Sequence, residues 1–194
     1  LLKKSSINLM IVSGLLFLII NLNLEDFYNI INRQGYESAI GVVIIVSLGK
    51  LFSMSMGCLN NIISNSKHYS YVFWFSVSSA ILAVVLNYIF IKEYGMLGAA
   101  FATLIVIIFI NSCKILLVNY LFKIHPYSSK TLSVLLIISL IYILIYSLPS
   151  IFNPWLSITL RSLLIIGLFC IPLFKFSLSK EIETLFEKLI KRLF

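Results

Sequence analysis

Six apolar runs separated by short connectors restrict the fold of this sequence more than any other feature. A transmembrane helix needs about 20 mostly apolar residues to cross the hydrocarbon core, and its backbone groups must be hydrogen-bonded within the segment. Short connectors predict that successive helices are antiparallel. The sequence therefore predicts an all-α, polytopic membrane helix bundle over residues 1–176. Its transmembrane helices are expected at about Ser5–Leu22, Ser38–Ile63, Tyr69–Ile91, Met96–Phe122, Thr131–Ser147 and Trp155–Phe174.

Composition indicates the same class of protein. Hydrophobic residues make up 60% of the 194 residues and charged residues only 11%, whereas soluble domains carry about a quarter charged residues. So few charges cannot cover a water-exposed surface, and lipid is the expected outer solvent. The net charge of +8 is spread between the apolar runs. This pattern argues against a nucleic-acid partner and favours membrane lipids, whose anionic headgroups attract Lys and Arg.

The positions of Lys and Arg predict the orientation, because short cytoplasmic loops are enriched in both residues. One side of the bundle would carry Lys3, Lys4, Lys67, Lys123, Lys130 and the tail from Lys175. The other side would hold Glu25, Asp26, Arg33, Glu37, Lys92 and Glu93. Glu25 and Asp26 are expected in a solvated loop. Both termini are therefore predicted to be cytoplasmic in a multi-pass membrane protein. Because the sequence begins with Leu1, we expect it to be part of a longer protein.

The C-terminal tail, residues 177–194, has a different pattern. Apolar residues recur at three- and four-residue spacing, and charged residues fill the remaining positions. A helix with this arrangement lies in the interface plane instead of crossing the membrane. The tail is therefore predicted to be a cytoplasmic amphipathic interfacial helix that anchors the last span. Its apolar positions are Ile182, Leu185, Phe186, Leu189, Ile190 and Leu193.

Lys50 is the most informative polar residue, because it lies near the middle of the second predicted span. An ionisable residue at membrane depth is costly and is a functional hypothesis by default. If the span is one helix, Lys50 belongs to a polar or small stripe that faces protein or a wet cavity. In one interpretation Lys50 binds an anionic substrate such as a phosphate on a lipid carrier. In the other it is structural, and either pairs with a carboxylate outside this sequence or belongs to a span that is shifted in depth. The candidate residues for a substrate cavity are Lys50, Ser53, Asn60, Asn61 and, on the third span, Asn87.

Other small and polar residues within the spans favour packing roles. Small residues allow helix backbones to approach closely, and this interpretation applies to Gly57, Gly95, Gly98, Ala99 and Ala102. Long basic side chains near helix ends can extend to the interface. Lys114 and Arg161 are accordingly expected to act as interface anchors, with pairing inside the bundle as the alternative for Arg161.

The sequence predicts no enzyme, metal or cofactor site. Cys58, Cys113 and Cys170 lie in apolar runs without CxxC spacing and are expected to pack as small hydrophobes. His68 and His125 have no second ligand at metal spacing. The sequence also contains no Ser, His and Asp constellation, no Gly-rich phosphate loop and no paired carboxylates.

Three elements resemble the C-terminal part of bacterial polysaccharide flippases. They are GKLFSMSMGCLNNIISNSKHY (Gly49–Tyr69), LNYIFIKEYGMLGAAFATLI (Leu86–Ile105) and NSCKILLVNYLFKIHPYSSKTL (Asn111–Leu132). The family has a similar order of an LNY element, a YGxxGAAxAT turn and an HPxSxK element. These O-antigen and oligosaccharide exporters belong to the multidrug, oligosaccharidyl-lipid and polysaccharide exporter superfamily. The first span also resembles the family's ninth helix, so the resemblance covers about three quarters of the chain.

The resemblance implies a protein of 12 to 14 helices in two lobes, with an N-terminal lobe outside this sequence. It implies alternating access, by which an undecaprenyl-diphosphate-linked oligosaccharide moves between the leaflets for lipopolysaccharide or other cell-envelope polysaccharide biosynthesis. The alternatives are a drug or ion antiporter of the same superfamily, a membrane glycosyltransferase or polymerase, and a membrane scaffold without transport. An antiporter is expected to carry an acidic residue within a span, and none of the six predicted spans has one.

Overall fold

The structure, a computed structural model, describes residues 1–31, 37–148, 153–179, 181, 182 and 184. Every element assigned within these ranges is helical, which confirms the predicted fold class. Four of the helices are long and apolar enough to cross a membrane, and Ala39–Ser55 is a shorter apolar helix. The helices are α1 (Leu2–Leu22), α2 (Leu24–Ile31), α3 (Glu37–Ser55), α4 (Leu59–Ser64), α5 (Ser70–Phe122), α6 (Ser129–Tyr146) and α7 (Pro154–Lys175).

Helix α5 consists of two antiparallel segments joined at Gly95. Gly95 has φ 57° and ψ −132°, which are not helical values. The ammonium group of Lys114 lies 5.9 Å from the centroid of the Phe75 ring, although a straight helix would separate these residues by roughly 58 Å at 1.5 Å per residue. At the open end, the rings of His68 and Phe122 are 6.3 Å apart. Segments 70–94 and 96–122 therefore form a helical hairpin and correspond to the third and fourth predicted spans.

The hairpin is closely packed next to its turn. A Cβ atom on Gly98 would collide with the carbonyl oxygen of Phe90 in the opposite segment. Ala102, one turn further along, is fully buried. Segment 70–94 otherwise exposes large side chains, including Trp74 and Tyr88. Gly98 thus allows the two backbones to approach, while segment 70–94 leaves much of its surface without a described helix against it.

The second predicted span is not continuous, so the expectation of one helix over Ser38–Ile63 is wrong. Helix α3 ends at Ser55, and α4 begins at Leu59. Between them Gly57 has φ 66°, a left-handed conformation that favours glycine. A Cβ atom on Gly57 would lie 2.5 Å from the backbone nitrogen of Ser6, and the Ser6 hydroxyl donates a hydrogen bond to the carbonyl of Ser55. The break is therefore held against the start of α1.

Helix α1 is the central element of the bundle, because it contacts α3 on one side and α6 and α7 on another. Leu18 of α1 is fully buried and belongs to the same apolar core as Val134 of α6 and Phe169 of α7. A second core joins the break in α3–α4 to the end of α5. It contains Leu2, Met56, Leu59, Ile63, Ile115 and Val118.

The connector after α1 also differs from the prediction of a solvated loop. Residues Leu24–Ile31 form α2, which contacts α7. Glu25 is exposed, but the Asp26 side chain is only 2% exposed and forms an ion pair with Arg161. Adjacent residues on a helix point in different directions, so one acid faces outward and the other faces the bundle.

At the end of the bundle where α1 begins, called the basic end here, the chain after α7 lies against α1. Leu178 is buried in the apolar core, and the Ser179 hydroxyl donates a 2.6 Å hydrogen bond to the Asn8 side chain. Asn8 in turn donates to Glu181, which also lies 3.6 Å from the Lys4 ammonium group. Most of the predicted amphipathic helix over 177–194 lies outside the described residues.

We expect this contact between the tail and α1 to loosen at low pH. The hydrogen bond from Asn8, and then the charge of Lys4, hold the pKa of Glu181 below its usual range. A depressed carboxyl pKa stabilises the docked state above the unfolded pKa, and that contribution is lost as pH falls through the folded pKa. Spin labels at Lys3 and Thr184 should report one distance from neutral pH down to the ordinary carboxyl pKa, and a broad distribution once pH falls below the lowered pKa of Glu181. A Glu181→Gln variant that kept the same pH response would contradict this assignment.

Candidate functional site

Lys50 lies near the middle of the bundle along the helix direction. Its neighbour Gly49 packs against Leu104 and Ile107, which are close to the midpoint of segment 96–122. At one end of the same contact, Gly41 lies against Leu97 near the hairpin turn. Helix α3 and segment 96–122 therefore run parallel, with Lys50 about as far from the turn as from the basic end.

The face of α3 that carries Lys50 is not covered by the described helices. Lys50 itself is exposed, and Met54, one turn away, is 44% exposed. Next to this face, α3 is held by α1, because the Ser47 hydroxyl and the Asn21 side chain exchange hydrogen bonds. Among the described residues, none forms an ion pair with Lys50. Within the described part of the chain, a primary ammonium group is thus presented without an ion-pair partner at mid-depth.

Ser53 connects this face to the hairpin. The side-chain amide of Asn111 donates a 3.0 Å hydrogen bond to the Ser53 hydroxyl. Residues three apart on a helix are neighbours, so Lys50 lies one turn before Ser53 and Lys114 one turn after Asn111. The bond between Ser53 and Asn111 is therefore the polar contact between α3 and segment 96–122, and Lys50 and Lys114 lie one turn away from it in opposite directions along the two parallel helices. We call Lys50, Ser53, Asn111 and Lys114 the α3–α5 polar cluster.

Lys114 is held in place by a second contact. Its ammonium group lies 5.9 Å from the centroid of the Phe75 ring on the opposite arm of the hairpin, a distance at which a cation is attracted to an aromatic face. The side chain is partly buried. This contact turns Lys114 toward the other hairpin arm, although the sequence predicted that it would extend to the interface.

The other sequence-predicted candidates are not part of the cluster. Asn60 and Asn61 lie on α4, beyond the break, and both are exposed. Asn87 is half-buried on segment 70–94. The single stripe predicted from Ser47 to Ser64 does not exist, because the left-handed residue Gly57 changes the direction of the chain. Of the five candidates, the structure thus places only Lys50 and Ser53 on α3, separate from Asn60 and Asn61 on α4 and from Asn87 on the hairpin.

Asn111 and Lys114 are cluster members that were not among the predicted cavity residues. Their i,i+3 spacing was a usable signal, because it places an amide and a cation on one face of an apolar helix. Two ammonium groups beside a hydroxyl and an amide supply donors and positive charge. This chemistry suits an anionic group such as a phosphate.

A second polar region lies at the end opposite the basic end. Asp26 accepts a 2.6 Å hydrogen bond from the Ser157 hydroxyl and pairs with Arg161 at 3.3 Å. Arg161 also donates to the backbone carbonyls of Leu22 and Leu148. Arg161, which was predicted to be an interface anchor, is therefore the ion-pair partner of Asp26 inside the bundle, as in the alternative prediction. A cavity of about 320 Å³ borders it, lined by Asn21, Glu25, Ile40, Tyr142, Tyr146 and Arg161, among others.

The described residues define a class: a helical bundle with apolar helices of membrane-spanning length, compatible with a multi-pass membrane protein. Comparisons with protein-family models, with curated proteins and with solved structures find no match to the chain. A more specific function must therefore be argued from the residues themselves. No group of metal-ligating side chains occurs within the described ranges.

Proposed function

We propose that this chain is the C-terminal part of a flippase that moves a lipid-linked oligosaccharide across the bacterial cytoplasmic membrane by alternating access. The observation that carries the proposal is the position of Lys50, a cation at mid-depth that has no ion-pair partner among the described residues and lies on a face that no described helix covers. The resemblance of Gly49–Tyr69, Leu86–Ile105 and Asn111–Leu132 to the flippase family supports the same function.

Physical cost supports a cavity on this face. A charged side chain at the bilayer centre costs several kcal/mol unless it faces a wet cavity or a partner. If lipid covered this face of α3, the charge of Lys50 would be destabilising by that amount, because hydrocarbon offers it neither water nor an anionic partner. A second lobe that encloses water against this face would remove the cost. An anionic substrate in the enclosed space would then meet the ammonium group of Lys50.

Each alternative function either needs residues that are not available in this chain or leaves the position of Lys50 unexplained. An antiporter needs an acidic side chain available for a cation, but buried Asp26 is paired with Arg161 and hydrogen-bonded to Ser157. A scaffold without transport leaves Lys50 without a reason to be at mid-depth. For a glycosyltransferase or polymerase, the sequence offers no large outer loop with catalytic side chains.

The proposal predicts that Lys50→Gln in the complete gene product abolishes most transport, because an amide removes the charge but keeps much of the side-chain length. In cells that lack the flippase, we expect surface polysaccharide to fall by at least tenfold relative to the unmodified protein. Lys50→Arg should retain a substantial part of the activity. Lys67→Gln, which removes an exposed lysine from a connector, is the matched control and should be neutral.

Membrane abundance, measured by blot, decides between transport and folding effects. Loss of polysaccharide at normal abundance supports the role of Lys50 in the cavity. Full activity of Lys50→Gln would remove the observation on which the proposed function depends. Failure of the unmodified gene product to restore polysaccharide would count against the substrate class itself.

A further inference from the structure

A groove between α3 and α6 lies on another side of the bundle from Lys50. It has a volume of about 440 Å³. Helix α1 contacts both α3 and α6, and Met10 of α1 lies at the bottom of the groove. The wall residues Leu48 and Leu132 are 41% and 60% exposed, so the groove is open to the surroundings. It is lined by Met10, Leu48, Leu51, Phe52, Ser55, Tyr127, Ser128, Thr131, Leu132 and Leu135.

The interior of the groove is almost entirely apolar. Its polar groups are already bonded: the Ser55 and Tyr127 hydroxyls lie 3.1 Å apart, and Ser128 and Thr131 form a capping box at the start of α6. Apolar cavities stay dry because water finds no hydrogen-bond partners in them. Within a bilayer, hydrocarbon is therefore the material that can fill this space at no solvation cost.

The mouth of the groove, lined by Tyr127 and Ser128, is at the basic end, close along the chain to the exposed lysines Lys123 and Lys130. Tyr127 lines the mouth, and the His125 ring packs edge-on against it at 5.4 Å. Lys123 is exposed two residues earlier, and its ammonium group lies 5.6 Å from the Tyr120 ring centroid. His68, next to Lys67, lies against Phe122. Basic side chains near a membrane surface attract anionic headgroups.

We infer that the groove holds one acyl chain of an anionic phospholipid, with the headgroup beside Lys123 at the basic end. The apolar walls take the chain, and the cationic rim selects the headgroup. This inference concerns a different surface from Lys50 and does not depend on the proposed transport function. A polyprenyl chain is the competing occupant, and the experiment below distinguishes the two.

Tryptophan quenching tests the site in the full chain reconstituted into bilayers. The two native tryptophans are first replaced by phenylalanine, and a single tryptophan is placed at Leu135 or Leu136. These residues are neighbours on α6 with 44% and 54% exposure, but only Leu135 lines the groove. The bilayers are phosphatidylcholine with a minority of phosphatidylglycerol, and the acyl chains of one lipid at a time are brominated.

We expect brominated phosphatidylglycerol to quench the tryptophan at position 135 about fivefold more effectively than brominated phosphatidylcholine does, because one lysine near the headgroup would give about this selectivity. The tryptophan at position 136 should show no preference. Lys123→Gln should remove the preference at position 135. Equal quenching of both positions by both lipids would overturn the inference. The inference would also be overturned if polyprenyl phosphate, added to the bilayers, prevented both phospholipids from quenching the tryptophan at position 135 and its removal restored the quenching.

Discussion

Replacing Gly57 with alanine is expected to destabilise the folded chain by about 3 kcal/mol or more. Two costs combine at this position. A left-handed conformation costs an L-residue about 1–2 kcal/mol, and Gly57 has φ 66°. In addition, the new Cβ atom would lie 2.5 Å from the Ser6 nitrogen and 2.9 Å from its Cα atom. Overpacking costs a further 1–3 kcal/mol, and here the obstacle is backbone that cannot rotate away. Thermal unfolding in detergent, followed by fluorescence-detected size-exclusion chromatography, measures the loss.

Two other glycines separate these costs. Gly95→Ala imposes only the conformational cost, because φ is 57° but nothing lies within 4 Å of the new Cβ atom. Gly167→Ala on α7 has neither cost and should leave the melting temperature unchanged or slightly raised, since alanine is the better helix former. Equal stability of Gly57→Ala and Gly167→Ala would show that α3–α4 is not held against α1 in the way described.

The positions of the spans could be predicted from the sequence because hydrophobic length is a local property. The hairpin turn is an example: Lys92–Gly95 was expected to be a connector, and the chain reverses at Gly95. The break at Gly57 could not be predicted in this way. Nothing in the surrounding apolar run distinguishes a glycine that packs within a helix from one that ends it. The difference depends on the backbone of Ser6, which is about 50 residues away.

For the polar cluster too, the sequence indicated what depends on neighbouring residues in a helix, but not what depends on packing between helices. The periodicity of α3 correctly placed Lys50 and Ser53 on neighbouring positions. It could not show that Asn111 would donate to Ser53, because this bond depends on how α3 packs against the hairpin. Asn60 and Asn61 were assigned to the same stripe only because the span was assumed to be continuous.

The partner of Arg161 could have been inferred from charge alone. A cation within an otherwise apolar span faces a wet cavity or pairs with a partner such as a carboxylate, and the sequence places Glu25 and Asp26 at the same end of the bundle as Arg161. Their adjacency suggested a solvated loop instead. The choice between the two acids depends on the orientation of α2, which packs against α7 and turns Asp26 inward.

Asp26→Asn is expected to cost about 3–5 kcal/mol, the range found when one partner of a buried ion pair is removed. The amide is nearly isosteric, so the bond from Ser157 can persist. Arg161, which is only 12% exposed, would then keep its charge without an anionic partner. Glu25→Gln is the matched control, because Glu25 is the adjacent residue but is exposed; it should change the melting temperature by little. If both substitutions have the same small effect, Arg161 is compensated by the carbonyls of Leu22 and Leu148, and the ion pair is not what holds α2.

A double-mutant cycle gives the coupling between the two charges directly. Arg161→Gln alone should also destabilise the chain, because it leaves the Asp26 carboxylate buried without its cation and breaks the bonds to the carbonyls of Leu22, the last residue of α1, and Leu148, which follows α6. The double variant Asp26→Asn, Arg161→Gln leaves no unpaired charge. It should therefore be more stable than the sum of the single losses by about 1–3 kcal/mol, the range found for residues in direct contact. Additive losses would mean that each residue acts through its other hydrogen bonds. A positive coupling would show that electrostatic attraction between α2 and α7 closes the bundle at the end opposite the basic end.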